Sequence, residues 1–260
     1  MTKFLFSKVI ILLLFTTNIQ AYRFTSDFLN GFYWQSFPVQ MQIFVNENSQ
    51  GSLLSSLVNQ AVNAWESEVG REIYSVPASY NVGSSFGNNI RWSKNFAAET
   101  GFDPSSTLAV TTRRTSGTYI GQVEVVLNAE FPGMLTNSGQ ILYRTILHEL
   151  GHVIGLDHSE VSQVVMASSL TSATSLQGDD SLGVNAVVDE ALYRQSIGFT
   201  SELSSSDEKN SPAACGSVDL GGGDGGGLPN ILLSLFLGFI LILSPKVLRP
   251  TRKFFPDQLT

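Results

Sequence analysis

The chain has 260 residues, a formal charge of −7 and only 15 Lys plus Arg, so it can hold one large or two small domains and offers no basic patch for nucleic acid. Charged residues make up 14%, below the usual quarter, while Ser, Thr, Asn and Gly are abundant, a balance that fits an exported bacterial protein. The single cysteine, Cys215, rules out an internal disulfide, and a domain of about 180 residues can bury a sufficient core without one.

In chain order, the first segment reads as an export signal over residues 1–21. Lys3 and Lys8 precede an apolar run from Val9 to Phe15, and Ile19-Gln20-Ala21 offers a cleavage point after Ala21. The run is too short to span a membrane comfortably; a buried first helix is the alternative. A single folded domain follows over 22–200. Val39, Met41, Ile43 and Val45 alternate with Gln40, Gln42 and, past Phe44, Asn46, which predicts a half-buried strand. Leu54, Leu57, Val58, Ala61 and Trp65 keep helical spacing, predicting an amphipathic helix over roughly 51–69. Short strands are expected near 72–80, 88–93, 107–113 and 119–129, separated by Gly, Asn, Ser and Pro. A helix beginning near Gln140 packs through Ile141, Ile146, Leu147 and Leu150, and a last helix covers about 180–195. This pattern predicts an α/β (α+β) domain: a twisted, mostly parallel sheet with three main helices.

The second of those helices carries the chemistry. All three histidines of the chain fall within His148-Glu149-Leu150-Gly151-His152-Val153-Ile154-Gly155-Leu156-Asp157-His158. Positions four apart share a helix face, so His148 and His152 can meet one ion. Glu149, one residue along, can hold a water instead. Gly155 lets the chain turn back and bring His158 in as a third nitrogen, leaving a fourth position open as catalytic zinc requires. By average residue usage the five fixed positions should coincide by chance on the order of once in 10^5 chains of this size. A solvated helix with stray histidines is the rival reading.

This stretch matches the metzincin signature and, with Ser159 directly after the third histidine, resembles the matrixins, the branch that includes matrix metalloproteinases. Met166, eight residues past His158, falls where that family's Met-turn methionine would lie beneath the ligands; taken alone it would read as an ordinary core methionine. The resemblance covers roughly residues 38–197. It implies a zincin-like fold with a five-stranded sheet, an edge strand over the cleft at Thr107–Thr112, and a specificity pocket walled by Ala167–Gly178. It also implies one catalytic zinc held by His148, His152 and His158, with Glu149 as general base. Two departures stand out. Ala167 replaces the tyrosine that often follows the methionine, and no histidine is left for a second zinc. Calcium stays open without a site, because Asp103, Asp179 and Asp180 form no loop signature. No cysteine lies between residue 1 and the site, so latency by an upstream thiol is not expected.

Beyond the domain, 201–227 reads as a Ser- and Gly-rich linker that includes Gly221–Gly227. Residues 228–248 read as a transmembrane or sorting segment, apolar from Ile231 to Leu243 except at Ser234 and Gly238. A basic tail follows over 249–260; Lys246, Arg249, Arg252 and Lys253 would place it in the cytoplasm and the domain outside. A buried C-terminal helix is the alternative, and Cys215 reads either as a processing point or as an incidental thiol. The expected function is an exported, monomeric zinc endopeptidase acting on protein or peptide substrates. Two other classes remain: a surface binding protein that kept the fold without turnover, and a zinc hydrolase of non-protein amides.

Overall fold

The alternation from Val39 to Val45 folds as two short strands broken at Met41, β2 (Val39–Gln40) and β3 (Gln42–Val45), where β1 is Arg23–Phe24. In this computed structural model the described residues are 21–45, 50–134, 139–204 and, for the backbone alone, 213–219. The break has a use: β2 pairs in parallel with β4 (Tyr74–Ser75), while β3 stays in the main sheet. The main sheet continues through β5 (Asn81–Val82), β6 (Asn89–Ser93), β7 (Thr107–Ser116) and β8 (Tyr119–Asn128). Its pairings β5–β3, β3–β6 and β6–β8 are parallel, and β8–β7 is antiparallel. The mixed α/β class and the mostly parallel sheet are as expected.

Two expectations are corrected. The sheet has six strands among the described residues, and Thr107–Thr112 is no edge. A sixth strand, β10 (Ala213–Asp219), lies antiparallel along the outer side of β7. The physical reason is that an extended strand's free N–H and C=O groups recruit any backbone able to satisfy them. A polar segment read as linker supplies that backbone.

Helices α2 (Gly51–Val69), α4 (Gln140–Ile154) and α5 (Gly178–Ile197) are the three main helices, with short α1 (Ser26–Leu29) and α3 (Phe96–Thr100) beside them. The predicted spacing of α2 buries Leu54, Val58, Ala61 and Trp65, which join Ile146, Leu147 and Leu150 of α4 in one core. β8 shows why the sheet divides the interior: Val123, Val125 and Leu127 face this core, whereas Val126 packs with Val110 and Phe96 on the other side. Burying a side chain of that size stabilises by about 1.5–3 kcal/mol, so the α2–α4 contact is what holds the second helix face fixed. Among the described residues no helix is long and apolar enough to cross a membrane. The apolar runs at 9–15 and 228–248 lie outside the described residues.

Candidate metal centre and cleft

α4 ends where its chemistry begins. Gly155 adopts φ of +122°, a conformation open to glycine, and its N–H closes on the carbonyls of Gly151 and His152. The chain reverses into β9 (Leu156–Asp157), which pairs antiparallel with β1. That ribbon returns His158 to the face that carries His148 and His152. One ligand nitrogen from each of the three lies within 4.8 Å of the others.

The hydrogen bonds decide which nitrogens those are. Nδ1 of His148 sits 2.7 Å from the Val165 carbonyl, and Nδ1 of His152 sits 2.7 Å from the Leu156 carbonyl. A carbonyl only accepts, so both Nδ1 atoms carry the proton and both Nε2 atoms present lone pairs. Those two lone-pair nitrogens face each other at 3.0 Å. Two acceptors at that distance repel unless a cation lies between them, so the donor set fits a zinc ion. Burial pushes His148 down to about 3 and, with the neighbouring His148 and His158, holds His152 well below its usual value. Both rings are therefore neutral, as ligands must be.

Glu149 is fully buried, and its Oε1 has no hydrogen-bond partner among the described residues. Oε2 accepts from the Thr111 hydroxyl at 2.5 Å. Burial pushes this carboxyl up to about 8, against the opposing effect of Thr111. On β7, residues 109, 111 and 113 share the face turned towards α4. Arg113, on that face, forks onto Asp27 of α1 (Nε–Oδ2 2.7 Å, Nη2–Oδ1 2.6 Å) and also donates to the His152 carbonyl. Trp65 donates to the Leu147 carbonyl at 2.9 Å, Tyr74 to that of Leu150 at 2.6 Å and Trp34 to that of Val153 at 2.9 Å. Four side chains thus grip the last turns of α4 through its carbonyl oxygens, some of which a helix end leaves unsatisfied.

Met166 packs against Gly151, between the two helix histidines. A Cβ there would overlap Met166 Sδ and lie 3.1 Å from Trp65 Cζ2. The loop that carries Met166 is tied down twice. Ser159 N–H donates to the Met166 carbonyl at 2.8 Å. Asp180 of α5 accepts the N–H groups of Val165 at 3.0 Å, Met166 at 2.9 Å and Gln177 at 2.8 Å.

A family model described as Matrixin matches residues 34–188, more than half of the 260 residues. The chain is a matrixin. Matrixins are zinc-dependent metallopeptidases, and the mixed α/β fold and the matched span agree with that membership. No curated protein matches the chain.

The nitrogens of His148, His152 and His158 come together, Glu149 is buried on the same helix, and Met166 packs against Gly151 of that helix. Thr111, Arg113, Asp27 and Asp180 were missed as site residues. Only Asp180 carried a signal, an acidic residue in the first turn of a predicted helix. The carboxylates weighed for calcium have protein donors. Asp180 holds the Met166 loop, Asp179 accepts from the Ser159 hydroxyl at 2.6 Å and the Tyr22 N–H at 3.0 Å, and Asp103 accepts from the Ser105 N–H at 2.8 Å.

Proposed function

We propose that this matrixin is an exported endopeptidase in which His148, His152 and His158 hold a single zinc and Glu149 is the general base. The observation that carries the reading is the pair of facing Nε2 lone pairs at 3.0 Å, next along the helix from a buried carboxylate one of whose oxygens meets no partner among the described residues. A zinc ion bound there supplies a Lewis acid and an acidified water. Thr111 holds Oε2 of Glu149, which leaves Oε1 to take the proton of the attacking water. The same oxygen hands that proton to the departing amine as the C–N bond breaks. A carboxyl whose proton affinity is raised towards neutrality suits both halves of that transfer. No phenol follows Met166, where Ala167 stands.

The organisation we propose is a signal over 1–21, a peptidase domain over 22–200, a connecting segment over 201–227, a membrane or sorting segment over 228–248 and a basic cytoplasmic tail over 249–260. The domain acts outside the cytoplasm as a monomer on protein or peptide substrates. Cleavage after Ala21 is supported by the Tyr22 nitrogen, 3.0 Å from Asp179 Oδ1. Processing there would set an ammonium against that carboxylate, a charge-assisted bond about twice as strong as a neutral one.

The deciding experiment incubates the zinc-loaded protein with a mixed peptide library, with and without chelator. Chelator-sensitive internal cleavage is expected. Glu149→Gln should retain zinc and lose about 10^2- to 10^4-fold in kcat. Full turnover by that variant removes Glu149 from its role, and zinc binding without cleavage by the unaltered chain favours a binding protein.

A further inference from the structure

The outer side of β7 is the place where an extended peptide could add as a strand beside the three histidines, and β10 already lies there. The pairing is antiparallel, with Ala213 opposite Arg113, Ala214 opposite Thr112 and Cys215 opposite Thr111. Thr111 is the residue whose hydroxyl holds Glu149, so the segment crosses β7 level with the proposed base. Further along, Ser217 pairs with Val110 and Asp219 with Thr107 across two register irregularities.

We propose that Ala213–Asp219 is an internal blocking strand, which keeps peptide substrates off β7 until it is displaced. The proposal rests on the peptidase reading of the same site. Each backbone N–H and C=O on that side of β7 can serve one ladder partner at a time, so the tail and a substrate strand exclude each other. The block is reversible in kind. Each ladder bond contributes about 0.5–1.5 kcal/mol net, and two irregularities weaken the ladder. What makes it effective is tethering: a short connection gives an effective concentration on the order of millimolar, which peptides at micromolar concentration cannot match. Cutting the connection removes that advantage without touching the site.

The test uses the full chain, solubilised in detergent and zinc-loaded, with a site-specific protease sequence inserted between Asp207 and Glu208. Nicking should lower KM for a fluorogenic peptide at least tenfold with little change in kcat. A synthetic peptide covering 211–220 should then inhibit the nicked enzyme competitively. The second readout does not depend on turnover: hydrogen exchange at the β7 amides that face away from β8 should speed up on nicking. Ala214→Pro and Cys215→Pro occupy adjacent, oppositely directed ladder positions, so one of them removes a ladder donor and should lower KM without a nick. Unchanged KM and unchanged β7 exchange after nicking overturn the blocking strand. If exchange rises but neither form cleaves peptide, the pairing stands and the peptidase reading is what fails.

Discussion

Asp27→Ala tests whether the far end of α4 is held by a single buried ion pair. The Arg113 side chain is 0% exposed and that of Asp27 is 7% exposed, and two of the guanidinium nitrogens meet the two carboxylate oxygens at 2.6 and 2.7 Å. Removing the carboxylate takes both of these bonds from a buried guanidinium that keeps the His152 carbonyl among its acceptors. Breaking such a buried pair from one side costs about 3–5 kcal/mol, because the remaining charge loses its bidentate counter-ion while staying out of water. For a domain of this size each kcal/mol moves Tm by about 2–4 °C, so the variant should melt about 6–20 °C lower. Arg113→Met should cost less, since Asp27 keeps the Phe28 N–H at 2.8 Å and methionine refills much of the volume. The double variant should then be more stable than the two single effects added together predict, by about 2–3 kcal/mol. The assay is calorimetric unfolding of all four proteins with zinc in excess. Additive single effects, within about 0.5 kcal/mol, would mean that the pair does not clamp β7 and α1 to the end of α4.

Gly151→Ala should destabilise although alanine favours helix by about 1 kcal/mol, because its Cβ overlaps Met166 Sδ and crowds Trp65. Overpacking of about 1–3 kcal/mol should dominate, and Met166→Ala in the same chain should relieve part of it in thermal melts. Zinc at about one hundred times its Kd should add about 2.7 kcal/mol to stability, read as a rise in Tm that a chelator reverses; an unchanged Tm would refute the ligand set. Without metal, stability should peak near pH 6.5. The His148 and His152 pKa values are lowered by burial, so the unfolded chain binds more protons below its ordinary histidine pKa, and stability falls as pH drops from about 6.5, by about 1.4 kcal/mol per unit per histidine. Glu149, raised to about 8, acts oppositely. There the folded chain binds more protons between about 4.5 and 8, so stability also declines as pH rises above 6.5. Denaturant titrations across pH 4–9 should show the maximum, and a monotonic profile would contradict it.

The parts of the fold that could be read in advance are those with long, unbroken periodicity. Predicted over roughly 51–69, α2 runs Gly51–Val69, and α4 starts at the anticipated Gln140, because an apolar stripe over several turns has one way to bury itself. The strand read through Val39–Val45 proved to be two, since alternation reports which face is buried and says nothing about which neighbour supplies the ladder. β10 was hidden for a related reason. Ala213-Ala214-Cys215-Gly216-Ser217-Val218-Asp219 has no alternating apolar face. Its strand character comes from the waiting backbone of β7 rather than from its own side chains.

The site divides along the same line. The three imidazoles and Glu149 sit within eleven consecutive residues, so one helix and one turn fix them relative to each other, and spacing alone exposes them. The groups that hold them in place act across 38 positions for Thr111–Glu149, 86 for Asp27–Arg113 and 15 for Val165–Asp180, and no local pattern encodes such pairings. Each also looks ordinary in isolation: Thr111 is one hydroxyl in a run of strand residues, and Asp27 is an acidic residue in a short first turn. Their roles arise only when β7 crosses the end of α4, which brings residues 111 and 113 onto one face two positions apart. That crossing couples function to fold. The strand face that steadies Glu149 and His152 belongs to the same strand whose outer edge β10 covers, so displacing the tail and positioning the base act on one element.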